Sequence, residues 1–256
     1  MISQRFLKWK DSASVSQRAA AASALGRAYL ESEMDFDERC GAEAAMTLLL
    51  DDASPKIRAA LAEALASSRK APPQIIAALA RDQFDIAALV IARSPVLSDH
   101  DIEPVVSTAS EQLQVVIARR PTMSNRLARC LAKYGAPAAA VAMLDNINAN
   151  ICNECLSMLV ARLGENATVR GRLLDRANLP VVLRYRLLRF ASQALAQSPL
   201  LQLAGQQSAE RAERLTQENM SKQLIHLIDQ AADDLSPLIE ELRLNNDLTT
   251  TFLLRA

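Results

Sequence analysis

Apolar residues recur at spacings of three and four through most of this chain, the period of a helix with one buried face. The clearest stretch is DDASPKIRAALAEALASS, residues 51–68. There Ile57, Ala60, Leu61, Ala64 and Leu65 form one stripe, while Arg58 and Glu63 point elsewhere. Ser54 is placed to cap the first N–H groups, and Pro55 takes the first helical position, where its missing donor costs nothing. The same period predicts helices over 15–30 and 37–50, the first so alanine-rich that a neighbour can pack closely on it.

Downstream the predicted helices are short and nearly without linkers: APPQIIAALARD, FDIAALVIARSP, SDHDIEPVVSTA, SEQLQVVIARRP, TMSNRLARCLAKYG and APAAAVAMLDN. Ser98, Ser110 and Ser124 are expected as caps, Pro95 and Pro121 as terminators, and Gly135 as a C-terminal cap. Leu65-Ala66, Ile91-Ala92 and Ile117-Ala118 lie at steps of 26, and the phrase IARSPVLS (91–98) returns as IARRPTMS (117–124). A hairpin of two helices this short cannot bury its apolar face alone, so successive units are expected to stack. In the phrase itself, Arg93 and Arg119 stand on equivalent sides of a repeated corner and predict a short ladder along one surface.

After residue 145 the repetition loosens. Helices are predicted over 153–163, 167–176 and 180–196, the last with Asn178 as a cap before Pro180. A break over 197–207 precedes a longer amphipathic helix from Ser208 to Gln230, with Ala212, Leu215, Leu224, Leu227 and Ala231 on its stripe. Ser236-Pro237 opens a further helix that Asn245-Asn246 ends. The terminal LTTTFLLRA is apolar and uncapped, so the natural chain is expected to continue past Ala256. The expected organisation is a helical repeat domain over 1–196 and a C-terminal helical segment over 197–256.

Composition agrees with helix throughout. Half of the residues are hydrophobic, only 4% are aromatic, and there are 6 glycines, too few for many tight turns or phosphate-cradling loops. The fold class read from the sequence is therefore all-α, a HEAT-like solenoid of stacked hairpins.

LLLDDASPKIRAALAEAL resembles a HEAT-type repeat, with an Asp before the turn and Ile57-Arg58 opening the second helix. The run through ALASSRKAPPQIIAALARD, then ARSPVLSDHDI, IARRPTMS, RANLP and LTTTFLLRA, resembles the bacterial family named domain of unknown function 2336. The likeness covers roughly residues 15–190 and 245–256, and RANLP carries Asn178 where Asp is expected. The resemblance implies an alphaproteobacterial cytoplasmic protein of stacked helices, and it supplies no catalytic residues.

Charge narrows the partner. Lys+Arg and Asp+Glu are each 29, whereas proteins that bind nucleic acid through phosphate neutralisation carry a positive surplus. The balance is uneven along the chain, however. Residues 31–52 hold Glu31, Glu33, Asp35, Asp37, Glu38, Glu43, Asp51 and Asp52 against Arg39 alone. Residues 160–190 hold Arg162, Arg170, Arg172, Arg176, Arg184, Arg186 and Arg189 against Glu165 and Asp175. The longest apolar stretch, 136–144, is too short for a bilayer span, and the N-terminus has no secretory h-region, so a cytoplasmic address with reduced cysteines is expected.

Few residues suggest chemistry. Cys152 and Cys155 form a C-x-x-C pair, the spacing of a redox dithiol or half a zinc site. The βαβ setting of thioredoxin-type chemistry is absent, and no second pair accompanies Cys40, Cys130, His100 or His226. Core packing is thus the plainer expectation, with the pair a weak metal candidate. His100 lies between Asp99 and Asp101 in a predicted first turn, where acids complement the helix dipole. Asn166-Ala-Thr168 has the form of a glycosylation sequon, which has no meaning in the cytoplasm. No nucleophile elbow, P-loop, dinucleotide fingerprint or zincin motif occurs.

The expected function is that of a non-enzymatic adaptor or scaffold without a cofactor, binding a protein partner. The arginine segment is one candidate surface, for an acidic partner, and the acidic segment 31–52 another, for a basic one. The alternatives are nucleic-acid binding through residues 162–189, and self-assembly into a homo-oligomer through the C-terminal helices.

Overall fold

A computed structural model of the protein describes residues 12–197 and 235–245 together with positions 9, 210, 211, 214, 215, 218, 219, 222, 223, 225 and 247. The protein is all-α: among the described residues every regular element is a helix, and the one β-type pairing is an isolated bridge between Met123 and Ala149. Contacts gather the chain into two units, Met1–Asn150 and Ile151–Ala256. The break expected over 197–207 lies, from residue 198 onward, outside the described residues.

The first unit starts with α1 (Val15–Glu31) and α2 (Phe36–Leu50), each opened by a reciprocal capping box, Ser14 with Gln17 and Asp35 with Glu38. α3 (Pro55–Leu65) follows with its proline at the first helical position, as expected. Ser54 does not cap it through its side chain. Its backbone N–H instead donates to the Asp52 carboxylate at 3.0 Å, so the Asp before the turn shapes this corner. Then come α4 (Pro73–Leu79), α5 (Phe84–Arg93), α6 (Asp99–Val106), α7 (Glu111–Ala118), α8 (Asn125–Tyr134) and α9 (Pro137–Asp145). Ser110 and Ser124 cap α7 and α8, accepting from the N–H groups of Leu113 and Leu127. Gly135 ends α8 in extended backbone rather than in the left-handed form, because α9 starts two residues later.

Helices in this unit touch their next-but-one neighbours. α1 packs on α3, α3 on α5, α5 on α7 and α7 on α9, while α2 meets α4 and α6 meets α8. Each consequently buries a narrow stripe: Ile57, Leu61 and Leu65 from α3, Ile86, Val90 and Ile91 from α5, Leu113 and Ile117 from α7. Full burial of such a side chain contributes on the order of 2 kcal/mol, well above an exposed ion pair such as Arg93–Glu63, worth at most about 1 kcal/mol. The packing of α1 on α3 depends on Gly26, where a Cβ would stand 2.8 Å from the Cβ of Ala64.

Polar side chains tie the corners. Arg18 reaches Asp52 at 2.8 Å, and Arg58 reaches Asp82 at 2.5 Å while also donating to the Asp52 carbonyl at 2.6 Å. At the repeated phrase the important position is one beyond Arg93 and Arg119, both of which are exposed. Ser94 and Arg120 are buried instead. The Arg120 guanidinium donates to the carbonyls of Ile91 at 2.5 Å and Leu97 at 2.9 Å, and Asn146 donates to those of Ala118 and Arg120, both at 2.9 Å. Positions 94, 120 and 146 keep the step of 26. Residues 120 and 146 thus each satisfy one carbonyl at the end of a helix one repeat earlier, that of Ile91 or Ala118, and one in the linker that follows it, that of Leu97 or Arg120.

The second unit holds α10 (Asn153–Leu163), α11 (Ala167–Leu174), α12 (Val181–Ala196) and α13 (Ser236–Leu244). α10 packs on α11 and α12, α11 on α12, and α12 on α13. Pro180, not Asn178, precedes the first helical residue of α12, its fixed φ setting the entry. Asn166, the sequon asparagine, caps α11 by accepting from the N–H groups of Thr168 and Val169 at 3.1 Å. Tyr185, Leu238 and Leu242 form a core between α12 and α13. Of the helix predicted over 208–230, the described positions are helical; its remainder, with His226 and the terminal LTTTFLLRA, lies outside the described residues.

Candidate functional site

Three groups of residues stand out from the sequence: the arginine segment, the dithiol and the acidic segment. The arginine side chains turn largely inward on their own unit. Arg170, in the first turn of α11, donates to the carbonyls of Gly164 and Glu165 just after α10. Arg184 donates to those of Leu174 at 3.0 Å and Arg176 at 2.8 Å, closing the end of α11. Arg186 makes a two-pronged contact with Glu241 on α13, at 2.9 and 2.7 Å. Arg189 lies 3.7 Å from Asp247. Arg172 pairs with Asp175 one turn on, and Arg162 is exposed near the end of α10.

Glu241 and Asp247 were not singled out by the sequence pattern, yet with Tyr185 they complete this cluster. The buried Tyr185 donates its hydroxyl to Asp247 at 2.5 Å. Burial first, and then this bond, push the phenol well above its ordinary range. The Glu241 carboxyl is held below its usual range, chiefly by its bond from Arg186, against an opposing effect of burial. The available signal was charge complementarity between 162–189 and the acids Glu240, Glu241 and Asp247, which a sequence separation of 55 or more conceals.

The cysteine pair is brought together. Cys152 is the N-cap residue of α10 and Cys155 lies in its first turn, with their sulfurs 3.3 Å apart. Cys155 is fully buried and Cys152 partly so. Among the described residues no group of three or more His, Cys, Asp or Glu could hold a metal ion. His100 is exposed, and its neighbours have structural bonds: Asp99 accepts from the Ser124 N–H at 2.8 Å, and Asp101 accepts from Ser98. The bond from Ser98 leads in holding the Asp101 carboxyl below its ordinary range.

The acidic segment divides in two. Asp52 is buried against Arg18, Glu43 accepts from Tyr29 and Gln74, and Asp35 with Glu38 closes the cap of α2. Arg39 stacks over the Tyr29 ring at 5.0 Å. Glu31, Glu33, Asp37 and Asp51 remain exposed, and beside them Phe36 is 79% exposed at the start of α2.

Residues 86–256 match the family described as an uncharacterised protein conserved in bacteria, domain of unknown function 2336. The chain belongs to this family. Its matched span begins in α5 and takes in the dithiol and the whole arginine segment, while residues 48–65 precede it. No curated protein and no solved structure matches the chain. No helix of the described residues is long and apolar enough to cross a membrane.

Proposed function

We propose that the protein is a non-enzymatic interaction module of HEAT-like stacked hairpins, an adaptor or scaffold whose exposed acidic N-terminal surface takes a basic protein partner. The observation that carries this is the next-but-one helix packing of the first unit, joined at 26-residue steps by Arg120 and Asn146. Stacking of this kind needs only a buried stripe from each helix and leaves the outer positions free to vary, which is why repeat architectures recur in protein recognition.

Two features favour the acidic surface over the basic one. Arg184, Arg186 and Arg189 have carbonyl or carboxylate partners within their own unit. The same engagement counts against nucleic-acid binding through this segment. By contrast, Glu31, Glu33 and Asp37 are exposed within a few residues of the exposed Phe36, an aromatic side chain that water solvates poorly, a combination suited to Lys- or Arg-rich segments.

The test is affinity capture from the native organism with the wild-type chain and with a Phe36→Ala, Glu33→Lys, Asp37→Lys variant, in low and moderate salt. A protein with a basic segment, retained by the wild type, weakened by salt and lost by the variant, is the expected result. Identical captured sets would remove this surface from consideration.

A further inference from the structure

The geometry points to Cys152 and Cys155 as a thiol–disulfide exchange site, reversibly oxidised to an intramolecular disulfide by low-molecular-weight disulfides of the glutathione class. The sulfurs lie 3.3 Å apart, within contact distance before any bond is made. One turn of helix separates the two residues, which places their Cα atoms in the range that a disulfide bridges. The backbone of Cys152 is extended at the N-cap, where its carbonyl accepts the Leu156 N–H at 3.1 Å, and a bond between the two sulfurs leaves that hydrogen bond in place.

Access divides the labour between the two thiols. Cys152 is partly exposed and can meet a reagent from solution, whereas Cys155 is fully buried, with the Cys152 sulfur 3.3 Å away. The start of α10 is also where the helix dipole favours negative charge, the charge of an attacking thiolate, although Glu154 in the same turn opposes it. The remaining cysteines differ: Cys40 is exposed, on α2, and burial pushes the Cys130 thiol up, away from its reactive form.

The reaction balances with the disulfide as oxidant. The Cys152 thiolate attacks one sulfur of RS–SR, forming a Cys152–SR bond and expelling RS⁻. Cys155, losing its proton, attacks the Cys152 sulfur, forming the Cys152–Cys155 bond and expelling the second RS⁻. Both leaving thiolates take up the protons that the two cysteines released. The pair is oxidised by two electrons and RS–SR is reduced to two RSH. Excess thiol reverses both steps.

The test equilibrates the full chain with graded ratios of oxidised to reduced glutathione, quenches by acid and alkylation, and maps peptides by mass spectrometry. The wild type is expected to lose two hydrogens as a Cys152–Cys155 disulfide, with Cys130 left as a thiol. Cys155→Ser is expected to accumulate the Cys152–glutathione mixed disulfide at least roughly tenfold above wild type, because the neighbouring thiol that resolves it at high effective concentration is gone. Cys152→Ser is expected to leave Cys155 unmodified, and circular dichroism checks that each variant folds. A wild type whose Cys152 stays reduced, or stops at the mixed disulfide, under conditions that modify Cys40 would overturn the assignment.

Discussion

The guanidinium of Arg120 donates to the carbonyl of Ile91 at 2.5 Å, joining the segment after α7 to the end of α5, 29 positions away. Its other terminal nitrogen holds the Leu97 carbonyl. Burial lowers the readiness of this side chain to carry its charge, and its Nε lies buried with no hydrogen-bond partner among the described residues. Arg120 is therefore kept in the corner at an electrostatic cost, which the two carbonyl bonds offset. Arg120→Ala should destabilise the first unit by about 2–4 kcal/mol, since it leaves two buried acceptors without their donor and opens a cavity. Thermal unfolding followed by circular dichroism measures this; a loss below about 1 kcal/mol would show that water replaces the guanidinium.

Asn146 repeats the device one step later with an amide. Asn146→Asp should cost more than Asn146→Ala, because a carboxylate cannot donate to the Ala118 and Arg120 carbonyls and repels both. A loss of roughly 1–2 kcal/mol is expected for alanine. Since Arg120 donates through its side chain at one corner and accepts from Asn146 through its carbonyl at the next, the double variant Arg120→Ala, Asn146→Ala should depart from additivity. Strict additivity would mean that the corners act independently.

Gly26 tests the contact between α1 and α3. Gly26→Ala places a methyl 2.8 Å from the Ala64 Cβ and should destabilise the unit by about 1–3 kcal/mol through overpacking. Gly26→Ala with Ala64→Gly restores the space and should recover most of the loss in the thermal midpoint. Failure to recover would point to backbone effects of glycine rather than the methyl contact.

Acid should loosen the contact between α12 and α13. The folded Glu241 pKa lies below its ordinary value, so its contribution is present above the unfolded pKa, about 4.3. It is lost as pH falls through the folded pKa. Because Arg186 is partly exposed, this contribution is only about 1 kcal/mol. Glu241→Gln should lower the thermal midpoint near neutrality and flatten its decline with acid. A wild type and variant with parallel pH profiles would assign the acid sensitivity elsewhere.

Reversing Arg186 to Glu sets two carboxylates against one another and should destabilise the second unit. The exchange Arg186→Glu with Glu241→Arg should recover a large part of that loss, read by thermal unfolding. No recovery would show that the ion pair matters less than the packing of the arginine stem.

The helices were legible because an apolar stripe at three and four residues is a local property, and because Pro55, Ser110 and Ser124 act within a few residues of where they stand. The corner at residues 51–55 was read imperfectly for the same reason. Ser54 has the form of a cap, but Asp52 competes for the turn and is itself held by Arg18, 34 residues away. The arginine segment was harder still. Its positive run is plain in the sequence, while its neutralisation depends on Glu241 and Asp247.

By itself the sequence determined the helical class, most helix starts, the 26-residue step and the family, all of which follow from short-range periodicity and recurring phrases. Only the tertiary structure decided that Arg120 and Asn146 hold the step from its buried side while Arg93 and Arg119 stay exposed, that Arg184 and Arg186 are engaged by carbonyls and a carboxylate of their own unit, and that two sulfurs meet at the start of α10. The physical reason is common to all three. Hydrogen bonds and ion pairs are set by distance and burial in three dimensions, and residues with the same local pattern can end on opposite sides of a corner.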